Sequence, residues 1–92
     1  MVTKINLRKN KITNKGAIMF ANFLTYHDNS VVEFDLNRNK ISRAGTEALI
    51  DALHGSIRIT NAKLCFGNKV PLEVENSVNQ ELKSNTQIKK NI

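Results

Sequence analysis

Residues 31–41, VVEFDLNRNKI, repeat the lettering of residues 2–12, VTKINLRKNKI, and residues 59–70, ITNAKLCFGNKV, repeat it again. Ile5, Leu7, Asn10, Ile12, Gly16, Phe20 and Leu24 return 29 residues later as Phe34, Leu36, Asn39, Ile41, Gly45, Leu49 and Leu53. A fixed period between roughly 20 and 50 residues is the signature of structural units that stack on one another. The third copy is looser. Ala62 and Leu64 follow Phe34 and Leu36 by 28 residues, whereas Asn68, Val70, Val78 and Leu82 follow their counterparts by 29. One residue is therefore inserted near Cys65, Phe66 and Gly67. Val74 stands where the earlier copies have Gly16 and Gly45, and Pro71 where they have Thr13 and Ser42. Terminal units of stacked repeats commonly diverge in this way, because their outer neighbour differs.

Within each copy the hydrophobic period changes. Val2, Ile5 and Leu7, then Val31, Phe34 and Leu36, then Ile59, Ala62 and Leu64 open the copies. The alternation at the last two positions of each set points apolar side chains to one side of a short strand and their neighbours to the other. Beyond the asparagine the spacing becomes four: Gly16, Phe20, Leu24 and Gly45, Leu49, Leu53 form one stripe of a helix. Thr13 and Ser42 suit helix N-caps ahead of that stripe, and Pro71 suits a first helical turn. Each unit thus reads as strand, turn, helix. Parallel strands joined through helices bury their apolar side beneath the helix layer, an α/β arrangement.

Asn10, Asn39 and Asn68 fall where the chain leaves the strand and loses its ladder partners. A side-chain amide donates and accepts, so a stack of asparagines is expected to satisfy turn backbone groups in its own unit and the next. Gly16 and Gly45 read as places where helix and neighbouring backbone approach closely.

The spacing closely resembles the ribonuclease-inhibitor-like class of leucine-rich repeats, whose unit reads L-x-x-L-x-L-x-x-N-x-L-x-x-x-G-x-x-x-L-x-x-x-L. Val2 to Leu24 and Val31 to Leu53 follow it, with isoleucine, valine and phenylalanine replacing several leucines. Ile59 to Leu82 follows it with the insertion and the lost glycine, and Ser84 to Ile88 looks like the opening of a further unit. The resemblance implies a leucine-rich-repeat solenoid, with short parallel strands on the concave face and helices on the convex face. Its units would span about 2–30, 31–58 and 59–87, with a fourth starting at 88–92. It also implies a non-enzymatic module for protein–protein interaction, a scaffold, an adaptor or a fragment of a longer repeat protein. Some members of the class regulate GTPases, a second alternative that no residue here can be matched to.

In such a fold the outward strand residues make the docking face. Aligning the copies places Lys4 beside Glu33 and Asn61, Asn6 beside Asp35 and Lys63, Arg8 beside Asn37 and Cys65, and Lys9 beside Arg38. Lys4 with Glu33, and Asp35 with Lys63, are expected to pair laterally for about 0.2–1 kcal/mol each. Arg8 and Arg38 are the expected anchors, since arginine is enriched at binding hot spots. Cys65 has no histidine in its column to activate it, and His27 and His54 belong to helix ends. No catalytic residue, metal ligand or cofactor site is assigned.

The chain of 92 residues carries a net charge of +6, unevenly placed. Lys4, Arg8, Lys9, Lys11 and Lys15 face only Asp28 in residues 1–30, whereas residues 31–58 balance. A basic surface of Arg8, Lys9, Lys11 and Lys15 touching nucleic acid or an anionic membrane is the alternative reading. Against it, that stretch holds no stacking aromatic side chain. With 40% hydrophobic and 24% charged residues the composition is that of a folded domain rather than a disordered one. Cys65 is the only cysteine, which excludes an internal disulfide and fits a reducing, cytoplasmic setting. No apolar run approaches the roughly 18 residues of a membrane span. The chain opens directly in a repeat strand, so uncapped ends that pack against copies of itself or against partners are expected.

Overall fold

The computed structural model describes residues 3–27, 30–56 and 58–90, the last five by backbone alone. The element order is β1 (Thr3–Asn6), α1 (Asn14–Tyr26), β2 (Val31–Asp35), α2 (Arg43–His54), β3 (Asn61–Lys63) and α3 (Leu72–Lys90). The three strands form one parallel sheet in the order β1-β2-β3. Ile5 lies opposite Phe34 and Phe34 opposite Ala62, as the aligned copies require. This is an α/β repeat fold with parallel strands.

The alternation decides which face is covered. Phe34, Leu36, Ala62 and Leu64 are buried with Ala17, Ala21, Leu24, Leu49, Ala52 and Leu53 from the helices in one continuous core. Ile5, Leu7, Phe20 and Leu82 pack on it, half-buried. Burying one large apolar side chain stabilises by about 1.5–3 kcal/mol, so the stripe spaced by four is what holds helix to sheet. Phe20 meets Phe34 edge to face, with ring centres 5.2 Å apart.

Thr13 and Ser42 occupy the N-cap positions of α1 and α2, but neither hydroxyl closes its own helix. The cap of α2 comes from the preceding unit. Asn14 Oδ1 accepts from the backbone N–H of both Ser42 and Gly45 at 2.9 Å, while Asn14 Nδ2 donates to Ser42 Oγ at 2.8 Å. One side chain thus satisfies two of the helix donors that the first turn leaves unpaired. Pro71 stands directly before α3, its carbonyl accepting from Val74 and Glu75 N–H at 3.0 Å.

The close approach at Gly45 is physical. A Cβ there would lie 2.6 Å from Asn14 Oδ1 and 2.9 Å from both Ala17 Cβ and Ile41 Cγ2. At Gly16 it would meet only Ile12 Cγ2 inside 3 Å. Gly45→Ala is therefore expected to destabilise by about 1–3 kcal/mol. Gly16→Ala, whose helix propensity gain offsets a single contact, should fall within about 1 kcal/mol of neutral. Urea titration of both variants checks this; equal effects would mean that the α1–α2 approach is not the constraint. Val74 replaces this glycine in the third unit, and a groove lined by Arg43, Glu47, Ile50, Asp51, Glu73, Val74 and Ser77 opens between α2 and α3.

Residues 84–90 continue α3, where the aligned lettering anticipates a fourth unit opening near Ser84–Ile88. No glycine or proline interrupts Leu72–Lys90. Asn85, only 3% exposed, ties the helix down by donating from Nδ2 to Leu53 O and Ile59 O. Val2, Asp28 and the end of the expected fourth unit, Asn91 and Ile92, lie outside the described residues.

Candidate binding surface

The strand register assembles two of the expected columns on the face turned away from the helices. Lys4 pairs with Glu33 and Glu33 with Asn61; Asn6 pairs with Asp35 and Asp35 with Lys63. Lys4, Asn6 and Lys63 are exposed, and Glu33, Asp35 and Asn61 half-buried. Together with Ile5 and Phe34, all but Asn61 line a shallow depression.

The lateral partners differ from those anticipated. Asn61 Nδ2 donates to Glu33 Oε1 at 3.0 Å, and Arg8 reaches Asp35 diagonally at 3.9 Å. Neither Lys4 with Glu33 nor Lys63 with Asp35 forms an ion pair among the described residues. The reason lies in the turn: Asp35 Oδ1 already accepts the Asn37 N–H at 2.9 Å, as Asn6 Oδ1 accepts the Arg8 N–H at 3.0 Å. The carboxylate is held back toward the turn, within reach of Arg8.

Four residues expected on this face lie elsewhere or are already engaged. Asn37 is only 8% exposed, and its Oδ1 accepts the Phe66 N–H at 3.2 Å. Lys9 and Arg38 stand on the turn, each with φ of 59°, as does Gly67 with φ of 76°. The repeated bonds Lys9 N–H to Asn37 O (3.1 Å) and Arg38 N–H to Phe66 O (2.8 Å) show how the third turn aligns. Phe66, not Cys65, continues the column of Asn37, because the inserted residue precedes it. Cys65 instead packs half-buried against the core. Gly67 is where the third unit meets the left-handed conformation with the one residue that adopts it freely. A Cβ there would lie 2.9 Å from Arg38 Cα.

The recurring asparagines are structural, and they reach backward rather than forward. Asn39 Oδ1 accepts from Asn10 and Ile12 N–H of the preceding unit, both at 3.1 Å. Its Nδ2 donates to Leu7 O and, in its own unit, to Leu36 O. Asn68 does the same for Asn39 N–H, Ile41 N–H and Leu36 O.

Burial pushes the Cys65 thiol up to about 11 from an ordinary 9.0, with the Glu75 carboxylate adding to the effect. A neutral thiol is a poor nucleophile. Iodoacetamide at pH 8 is expected to alkylate the folded protein about a hundredfold more slowly than the unfolded chain; equal rates would contradict this burial. Well below pH 9 the thiol is neutral in both states. Above it the unfolded chain ionises while the folded state resists until about 11, so folding stability declines across that window.

His27 caps the end of α1 and stacks on Phe23 at 6.0 Å; His54 ends α2 and lies 3.1 Å from Glu81 Oε1. Both belong to the helix layer, away from the strand columns. Among the described residues no three metal-capable side chains gather, and no helix is long and apolar enough to cross a membrane. Two residues that matter were not anticipated: Asn14, whose role needs the neighbouring helix, and Phe66, whose place depends on the insertion. The recurrence of Arg38 and Gly67 one residue before each asparagine was the available signal for the latter.

A family model described as Leucine Rich repeat matches residues 1–21. The match covers β1, the first turn and the start of α1, and supports a leucine-rich repeat in this chain. No curated protein matches the chain. Leucine-rich repeats are generally non-enzymatic binding repeats, which suggests a module for protein interaction.

Proposed function

We propose that this chain is a ribonuclease-inhibitor-like leucine-rich-repeat solenoid that binds another protein through its open sheet face, as a scaffold or adaptor in the cytoplasm. The observation that carries this reading is the pair of columns Lys4–Glu33–Asn61 and Asn6–Asp35–Lys63, set side by side on the uncovered face. Charged and amide groups of both signs on a rigid sheet select a partner by complementarity more than by apolar area. Arg8, beside Asp35, is the anchor at the edge of that face.

The α1 edge of the described fold is the second contact surface in this reading. Met19 and Tyr26 on α1 are 64% and 79% exposed, and Phe23 is 38% exposed. Association of copies through this edge is expected. Light scattering coupled to size exclusion should find a dimer or larger species at both low and high salt. A monomer at tens of micromolar would remove the edge from the proposal and leave the sheet face alone.

Lys4→Glu and Lys63→Glu test the sheet face, because neither lysine makes an ion pair among the described residues. The double variant should keep the wild-type melting temperature and lose at least tenfold in affinity for a captured protein partner. Unchanged affinity would place the partner site elsewhere.

A further inference from the structure

A second surface lies beside the strand face, on the turns. Lys11, Lys40 and Lys69 recur at the same 29-residue period as the core. The bonds Lys40 N–H to Ile12 O (2.7 Å) and Lys69 N–H to Ile41 O (2.8 Å) put the latter two in equivalent places of successive turns. The three lysines are all exposed and recur along a ridge of successive turns about 5 Å apart, with Lys40 opposite Thr13 in the local register. Lys9 and Arg38, both exposed, run alongside one residue before the asparagines. No ion pair joins any of these five cations among the described residues.

Cations gathered on successive turns repel one another. The open sheet face differs: its cations alternate with Glu33 and Asp35. On the turns the segments 8–13, 37–42 and 66–71 contain no acidic residue at all.

Beside Arg38, in the column of Asn37, stands Phe66, 61% exposed, with the Arg38 guanidinium carbon 5.2 Å from its ring centre. An exposed aromatic ring flanked by arginine is a platform for a base, and cations beside it hold the phosphates. The first unit alone lacks such a ring; the stacking of the third turn on the second supplies it. A groove lined by Asn39, Lys40, Ser42, Gly67 and Lys69 runs between these turns.

We infer that this turn ridge binds single-stranded nucleic acid, with phosphates on Lys9, Lys11, Lys40 and Lys69 and a base stacked on Phe66 beside Arg38. An acidic peptide would satisfy the lysines but gain nothing from the ring. A membrane surface would not distinguish the ridge from Lys4 and Lys63.

Fluorescence anisotropy with a labelled oligothymidylate of about 12 nucleotides tests this on the full chain. Four phosphate contacts predict an affinity loss of about fifty-fold between 50 and 200 mM salt. Lys11→Gln/Lys40→Gln/Lys69→Gln should weaken binding at least thirtyfold at 50 mM salt and flatten the salt slope. Phe66→Ala should weaken it about five- to a hundredfold with the slope unchanged, as expected for loss of one base stack. Lys4→Gln/Lys63→Gln, on the sheet face, should change it less than threefold. Circular dichroism confirms that each variant, altered only at exposed side chains, stays folded. Equal losses in the triple and control variants would overturn the ridge as a site. An unlabelled polyglutamate peptide competing as well as oligothymidylate, with Phe66→Ala silent, would overturn nucleic acid as the ligand.

Discussion

Asn39→Ala is expected to destabilise the protein by about 2–4 kcal/mol, more than its position on a turn suggests. The side chain is 7% exposed and makes five hydrogen bonds. The carbonyls on its donor side keep other partners: Leu7 O is also reached by Asn10 Nδ2, Leu36 O by Asn68 Nδ2, and Asn37 O by Lys9 N–H. The acceptor side has no such reserve. Removing Asn39 Oδ1 strands the N–H groups of Asn10 and Ile12 in part-buried bonds, and leaving a donor unpaired costs up to about 1–3 kcal/mol. Asn39→Asp separates the two halves, for it keeps an acceptor for both N–H groups yet turns a second oxygen toward three carbonyls. It too should destabilise, and its loss should shrink at pH values that protonate the new carboxyl. Asn10 is exposed and its side chain donates to the Leu7 and Arg8 carbonyls of its own unit, so Asn10→Ala should cost under about 1 kcal/mol. Urea titration of the three variants is the check. Equal effects at Asn10 and Asn39 would mean that the inter-unit ladder contributes nothing.

Leu49→Ala should cost about 2–5 kcal/mol, since a fully buried leucine leaves a cavity that its neighbours cannot fill. Leu49 is 0% exposed, at the centre of the core formed by both flanking units. For a domain of this size each kcal/mol moves the melting temperature by about 4–8 °C, so the transition should fall sharply or vanish. Met19→Ala is the comparison. It is also an α1 or α2 substitution of a large apolar side chain, but at 64% exposure it should stay within about 0.5 kcal/mol of wild type. An unchanged melting temperature for Leu49→Ala would break the repeat register on which the fold rests.

Both expectations come from positions that the lettering alone could find, because they obey a period. Leu49 repeats Phe20, and Asn39 repeats Asn10, at the spacing that also aligns Ile5 with Phe34 across the sheet. Hydrophobic alternation followed by a spacing of four dictates strand, turn and helix, and copies of one unit can bury their apolar sides only by stacking. The parallel order, the helix starts after Thr13 and Ser42, and the columns of Lys4 and Asn6 follow from that.

Contacts between units were a different matter. Periodicity says which residues occupy equivalent places, but not which of two nearby groups wins a shared partner. Asp35 bonds the Asn37 N–H and meets Arg8 rather than Lys63 because the backbone turns there. Asn14 caps the helix of the next unit, a role set by the approach of α2 and not by anything in α1. The extra residue before Phe66 moves Cys65 inward and carries an aromatic ring to Arg38, which no spacing within the first unit could announce. The sequence by itself determined the repeat, its elements and its core, since these rest on burial that each copy must satisfy in the same way. The tertiary structure alone decided the hydrogen-bond partners and the meeting of the exposed ring with Arg38, since these arise only where one unit is laid against the next.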